Sequence, residues 1–355
     1  MPSETPDLAD FTPGNSARYT ASDLADPAGL AAVRRDIEAL AAQMQQRGIG
    51  APDYYDLMDL HPAQQRVFFI HVPKCGGTSI RKQLVLKNRC APVPLGHSGP
   101  VDQAIAYMAH SYLARSPRGA LLRSYLSKEA ALDRRQRFLH VYAGYQLLQN
   151  PQRMFILGHQ KAREMLRFHR PGTDLFFTTV RAPAEILKSM VAYRVSHTLL
   201  DEQRQDSKIL LRQLQMSFGE FTDRVRSDPQ SLARTILERD CPSLAAFLSF
   251  DPALDHAAVI QGLKDNRVFI AHMSEQHTML NALFGPQAAK LHENTSHNRS
   301  GLAAEFTAAV ELDWVAPYVD AQSTRLYRQL ESSGIIGYWK EGSSTEGYLD
   351  LLRNL

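Results

Sequence analysis

The stretch FFIHVPKCGGTSI, Phe68–Ile80, sets an apolar run against a lysine, two glycines and two hydroxyls. The short apolar run reads as a buried strand, and the residues after the glycines read as the start of a helix. Glycine allows positive φ and close backbone approach. Strand, tight turn and helix N-terminus in that order make an anion cradle, because the first amides of a helix point out along its axis at the positive end of its dipole. Lys74 stands before Gly76 and Gly77, and Thr78 and Ser79 follow them with no further lysine. In a G-x-x-x-x-G-K-[ST] loop the lysine and the metal-binding hydroxyl both follow the last glycine, so this loop is built differently.

Working outward, four apolar runs read as strands: RVFFIHV (66–72), RMFILGH (153–159), DLFFTTV (174–180) and NRVFIAH (266–272). Helical patterns lie between them. Alternation of this kind predicts an α/β fold, a central mainly parallel sheet flanked by helices, with ligands at the C-terminal strand ends. The later runs end at His159, Arg181 and His272. None offers the aspartate through which an ATP or GTP hydrolase would hold magnesium. An anion held here would therefore rely on backbone amides, hydroxyls and Lys74.

HVPKCGGTSI resembles the 5′-phosphosulfate loop of sulfotransferases that use PAPS (3′-phosphoadenosine 5′-phosphosulfate), in the PK[TC]-[GA]-G-T-S form of the carbohydrate and heparan-sulfate group. The resemblance implies a P-loop-like three-layer fold with helical insertions. It also implies cofactor contacts from Lys74, Cys75, Gly76, Gly77, Thr78 and Ser79, PAP as product, and no metal. A second stretch, TTVRAPAEILKSMVAYR, puts Arg181 at a strand end and Ser189 eight positions later, as in the family's R-D-P-x-E-R-x-x-S pattern for the 3′-phosphate. Arginine suits a phosphate dianion because its planar fork donates two parallel hydrogen bonds. Ala182 replaces the family's aspartate and Ile186 its second arginine, so a supporting salt bridge loses its partners. Between the two stretches, FILGHQKAREML carries a Gly-His like that of many family members, which implies His159 as the base that deprotonates the acceptor. Histidine titrates near neutrality and suits that task. His71 lies inside the strand approach and is expected to orient backbone. LHENTSHNRSG resembles the family's distal loop and adds Asn294, Ser296 and Arg299 as nucleotide contacts.

The expected reaction is sulfuryl transfer from PAPS to an acceptor hydroxyl, on a glycan or a small molecule, with Lys74 and His159 as catalytic residues. Two other readings stay open: an ATP-dependent small-molecule kinase, which needs magnesium and an acidic ligand, and a nucleotide-binding protein without turnover. His272, His277, His292 and His297 lack the spacing of helical or finger-type metal ligands.

Composition sets the outer bounds. The 355 residues are 44% hydrophobic and 22% charged with a net charge of +3, as in ordinary globular proteins, and that charge gives no reason to expect nucleic acid. Cys75, Cys90 and Cys241 lie far apart, which argues against a disulfide framework or a zinc knuckle. The first twenty residues are polar and acidic, unlike a signal peptide, and no run reaches the ~18 apolar residues of a membrane span. A cytoplasmic protein is expected, in which the sequon at Asn294 goes unglycosylated. The expected organisation is an N-terminal extension over 1–60 carrying the helical stretch PAGLAAVRRDIEALAAQMQQRG with its glycine as stop signal, a main domain over 61–335 with insertions at 89–150 and 198–265, and a tail over 336–355 made of a polar loop and a short helix.

Overall fold

The computed structural model describes residues 21–46, 65–85, 91–94, 133, 136, 139–140, 143–144, 153–286 and 301–355. These residues form an α/β protein with parallel strands, in two compact units. The first unit takes Met1–Phe69, Arg81–Gly158 and Arg170–Leu175; the second takes Ile70–Ile80, His159–His169 and Phe176–Leu355.

In the first unit, strands β1 (Gln65–Phe69), β2 (Ala91–Pro94) and β3 (Arg153–Leu157) lie in the order β2-β3-β1. Val67 of β1 faces Phe155 of β3, which on its other side faces Pro92 of β2. The start of β1 is pinned by a buried carboxylate: the Arg66 amide donates to Asp174 Oδ1 at 2.9 Å, and Arg170 holds Asp174 in an ion pair of 2.7 Å. Helix α1 (Pro27–Gln46) falls where its periodicity predicts it and buries Val33, Ile37, Leu40, Ala41 and Met44 as one stripe. β2 is an unpredicted strand inside the segment read as an insertion.

The second unit contains β5 (Phe269–His272), paired in parallel with β4 (Leu175–Val180), Val180 facing His272. Only Leu175 of β4 falls in the first unit. Ile70, which continues β1, donates its amide to the Phe177 carbonyl at 3.0 Å. Val72 then bonds back to the Ile70 carbonyl, which ends the extended run at the loop. Helix α2 (Gly77–Val85) opens directly behind it.

Helix α3 (Pro183–Leu200) follows β4, its first position filled by a proline whose fixed φ suits that place. The predicted helical segment beyond it holds α4 (Gln205–Leu214), α5 (Phe218–Ser227), α6 (Pro229–Arg239) and α7 (His256–Asp265). Leu187, Met190, Val191 and Val195 of α3 pack with Leu210, Phe221, Leu232 and Ile236, and with Phe306 of α9 (Leu302–Ala309), into an apolar core. Burying each such side chain contributes roughly 1.5–3 kcal/mol. β5 is followed by α8 (Gln276–Phe284). The tail forms the expected loop and helix, α11 (Thr345–Arg353), after α10 (Ala321–Ser332). Trp339 and Tyr348 of the tail are buried against β5: Trp339 Nε1 donates to the Ile270 carbonyl at 2.8 Å, and Tyr348 Oη accepts from the Ile270 amide at 2.8 Å and donates to the Val268 carbonyl at 3.1 Å.

Candidate anion-binding site

The turn between β1 and α2 lies wholly in the second unit, together with Arg181, Ser189 and His159. Its backbone is unusual at two places. Lys74 has φ 65° and Gly76 φ 83°, both in the left-handed region that favours glycine. The turn is closed by the Cys75 amide bonding to the Val72 carbonyl, and Ile80 bonds back to Gly76 as α2 begins. First-turn amides of α2 thus point toward the loop, with the half-buried Thr78 and the buried Ser79 beside them.

Gly77 is constrained by packing on the protein side, and Gly76 chiefly by its positive φ. A Cβ on Gly76 would collide with Gln276 Oε1 of α8 and stand 3.3 Å from Met273 Cγ. A Cβ on Gly77 would enter the ring of His71. The sequence assigned these glycines to close approach of an anion; the structure adds a second reason for them.

Cys75 sits at the centre of the turn with its side chain fully buried, so only its backbone faces a ligand. Burial pushes the thiol up to about 12, against the smaller opposing pull of the Arg181 charge, the Arg181 amide and Lys74. The thiol is therefore neutral and no nucleophile. Its carbonyl accepts a short hydrogen bond from Thr179 Oγ1, and Thr178 Oγ1 donates to the Ile70 carbonyl at 2.7 Å. Two adjacent hydroxyls of β4 thereby fix both the approach to the loop and the loop itself.

Arg181 follows β4 and reaches across to Met273, its Nε 2.8 Å from Sδ. Along α3, Glu185, Ser189, Tyr193 and His197 recur every fourth residue and share one face. Glu185 acts electrostatically on Cys75, and the Tyr193 ring carries Lys74 Nζ 3.8 Å from its centroid. Ser189, between them, lies on the stripe that faces the loop. The structure thus brings Lys74 and Arg181 to one place around Cys75, with Ser189 on the α3 face between Glu185 and Tyr193.

His159 follows β3 and is exposed, while His71 is buried, and their rings stack with centroids 4.0 Å apart at 25°. His71 is therefore the slab between Gly77 and His159. This agrees with a supporting role for His71 and gives it a shape the sequence did not show. His272 caps the turn after β5: its Nδ1 lies 2.7 Å from Ser274 Oγ, and its amide donates to Glu275 at 2.9 Å. His277 Nε2 pairs with Asn281 within α8 at 3.3 Å. Among the described residues no group of three or more His, Cys, Asp or Glu side chains could hold a metal ion.

Asn294, Ser296 and Arg299, with His292, His297 and Cys90, lie outside the described residues. Tyr193, Met273, Gln276 and Thr179 belong to the site but were missed. Thr178 and Thr179 alone left a signal, as paired hydroxyls in an otherwise apolar strand. The donor set of two cations, first-turn amides and hydroxyls, with Glu185 exposed at its edge, suits a phosphate-bearing ligand. Among the described residues no helix is long and apolar enough to cross a membrane. No protein-family model, no curated protein and no solved structure matches the chain.

Proposed function

We propose that this chain is a PAPS-dependent sulfotransferase with a P-loop-like fold that sulfates an acceptor hydroxyl, on a carbohydrate or glycan-containing molecule. One observation supports the reading above the others: a left-handed lysine, a left-handed glycine and a packing-constrained glycine open a helix beside a strand-end arginine and the serine stripe of α3. Bound PAPS supplies an activated sulfuryl group on its 5′-phosphate. The amides of α2, Thr78 and Ser79 hold that phosphate, and Lys74 stabilises the charge that grows on the bridging oxygen as the bond to sulfur breaks. Arg181 and Ser189 hold the 3′-phosphate. His159, exposed and braced by His71, takes the proton from the acceptor hydroxyl. Most of the rate enhancement then comes from positioning and fixed positive charge.

The test pairs binding with turnover. PAP raises the melting temperature with EDTA present, and Arg181→Ala weakens PAP far more than an analogue lacking the 3′-phosphate. In a labelled-PAPS assay against glycan and small-molecule acceptors, His159→Ala lowers turnover by about 100-fold and removes the acid limb of the pH–rate profile. Stabilisation by ATP only with magnesium would instead establish a kinase, and PAP binding without any product would establish a nucleotide-binding protein.

A further inference from the structure

A lysine at φ 65° costs roughly 1 kcal/mol or more that a glycine would not. Its side chain is the part a glycine lacks, and that side chain has a definite seat. Lys74 Nζ stands over the Tyr193 ring at 3.8 Å. Tyr193 is itself held: its ring lies 4.0 Å from that of His197, one turn further along α3, at 47°. His197 Nδ1 accepts from Arg204 at 2.7 Å, and because a guanidinium only donates, the ring's hydrogen is fixed on Nε2. Arg204, His197 and Tyr193 thus form a braced column that ends beneath the loop lysine.

We propose that Tyr193 is the positioning residue for Lys74. A carboxylate in its place would hold the ammonium at the cost of neutralising it. An aromatic face holds the ammonium through its quadrupole without cancelling its positive charge. The ring aims the lysine at the mouth of the turn, and His197 keeps the ring from rotating away. The effect on turnover rests on the sulfotransferase reading; the seating of the lysine does not.

The full chain is reductively methylated with ¹³C-formaldehyde, which keeps lysine charge, and the Lys74 methyl resonance is assigned by its loss in Lys74→Arg. In the wild type it lies upfield of the other lysines because of the tyrosine ring current. Tyr193→Phe keeps that shift and Tyr193→Leu abolishes it. A Lys74 resonance already at the ordinary lysine position in the wild type, or one unmoved by Tyr193→Leu, overturns the proposal. In turnover, Tyr193→Leu lowers kcat by about tenfold with a smaller change in PAP affinity, and Tyr193→Phe restores most of it. Equal loss in the Leu and Phe variants means that the hydroxyl, not the ring face, acts, and also overturns the proposal. If PAP fails to bind the wild type, the sulfotransferase reading falls and the ring-current measurement alone decides this one.

Discussion

A methyl group at position 77 has nowhere to go while His71 is present, because the imidazole fills that space and rests in turn on His159. Gly77→Ala should therefore cost about 1–3 kcal/mol of stability, the usual scale of overpacking. In a His71→Ala background the same change should be nearly free, since alanine is otherwise the better helix former. Urea unfolding of the four proteins measures the coupling, and an equal cost in both backgrounds would contradict the packing account. At this scale the sequence was partly legible. The residues able to bind an anion could be picked out because lysine, arginine and hydroxyls at strand ends carry their chemistry in their type. The contacts that brace them could not. Gly77 meets His71 only because the turn between them folds back through a left-handed Lys74, and Tyr193 meets Lys74 only because α3 packs beneath the loop.

The strands show why some elements read easily. β3, β4 and β5 each lie inside a predicted apolar run, and β1 starts one residue before its own, because strands buried on both faces have no polar face to interrupt them. β2 has the sequence APVP, and proline cannot donate to a ladder, so its composition argues against a strand. It is tolerated because β2 pairs with β3 at the edge of its trio. The predicted runs for β1 and β3 continued past the observed strand ends, where the chain turns to deliver Lys74 and His159, whereas those for β4 and β5 stop where the strands do, at Val180 and His272. β4 carries the other function of an element, holding its neighbour's loop through Thr178 and Thr179. Thr179→Val should lose about 1 kcal/mol of stability, and Thr178→Val a similar amount. Only the first removes a bond to the turn itself, so only the first should weaken PAP, by calorimetric titration. Equal weakening by both would place the effect in β4 as a whole.

Across the molecule, every described candidate residue belongs to the second unit, although β1 and β3, which lead to two of them, belong to the first. The sequence showed the order of the elements but not this division, which depends on contacts between distant segments. The tail is the same kind of case. Its loop and helix were legible from polarity and periodicity, whereas its packing on β5 was not, since Trp339 and Tyr348 reach partners 69 to 80 residues earlier. Tyr348→Phe should cost about 1–3 kcal/mol by leaving the buried Ile270 amide without its acceptor, read as a lower melting temperature with earlier light scattering on heating. A variant as stable and as clear as the wild type would show that the hydroxyl is dispensable.

The seal on β5 also sets a timetable. Ile270 offers its amide and carbonyl on the side that a further strand would use, and the residue that takes the amide lies 78 positions later. At ~5–20 residues per second, a ribosome needs roughly 4–16 seconds to travel from one to the other. Throughout that interval β5 has an open side, and neighbouring nascent chains on the same message carry the same open side. The second unit therefore cannot close on this side before Tyr348 has been made, and β5 keeps its open side until then.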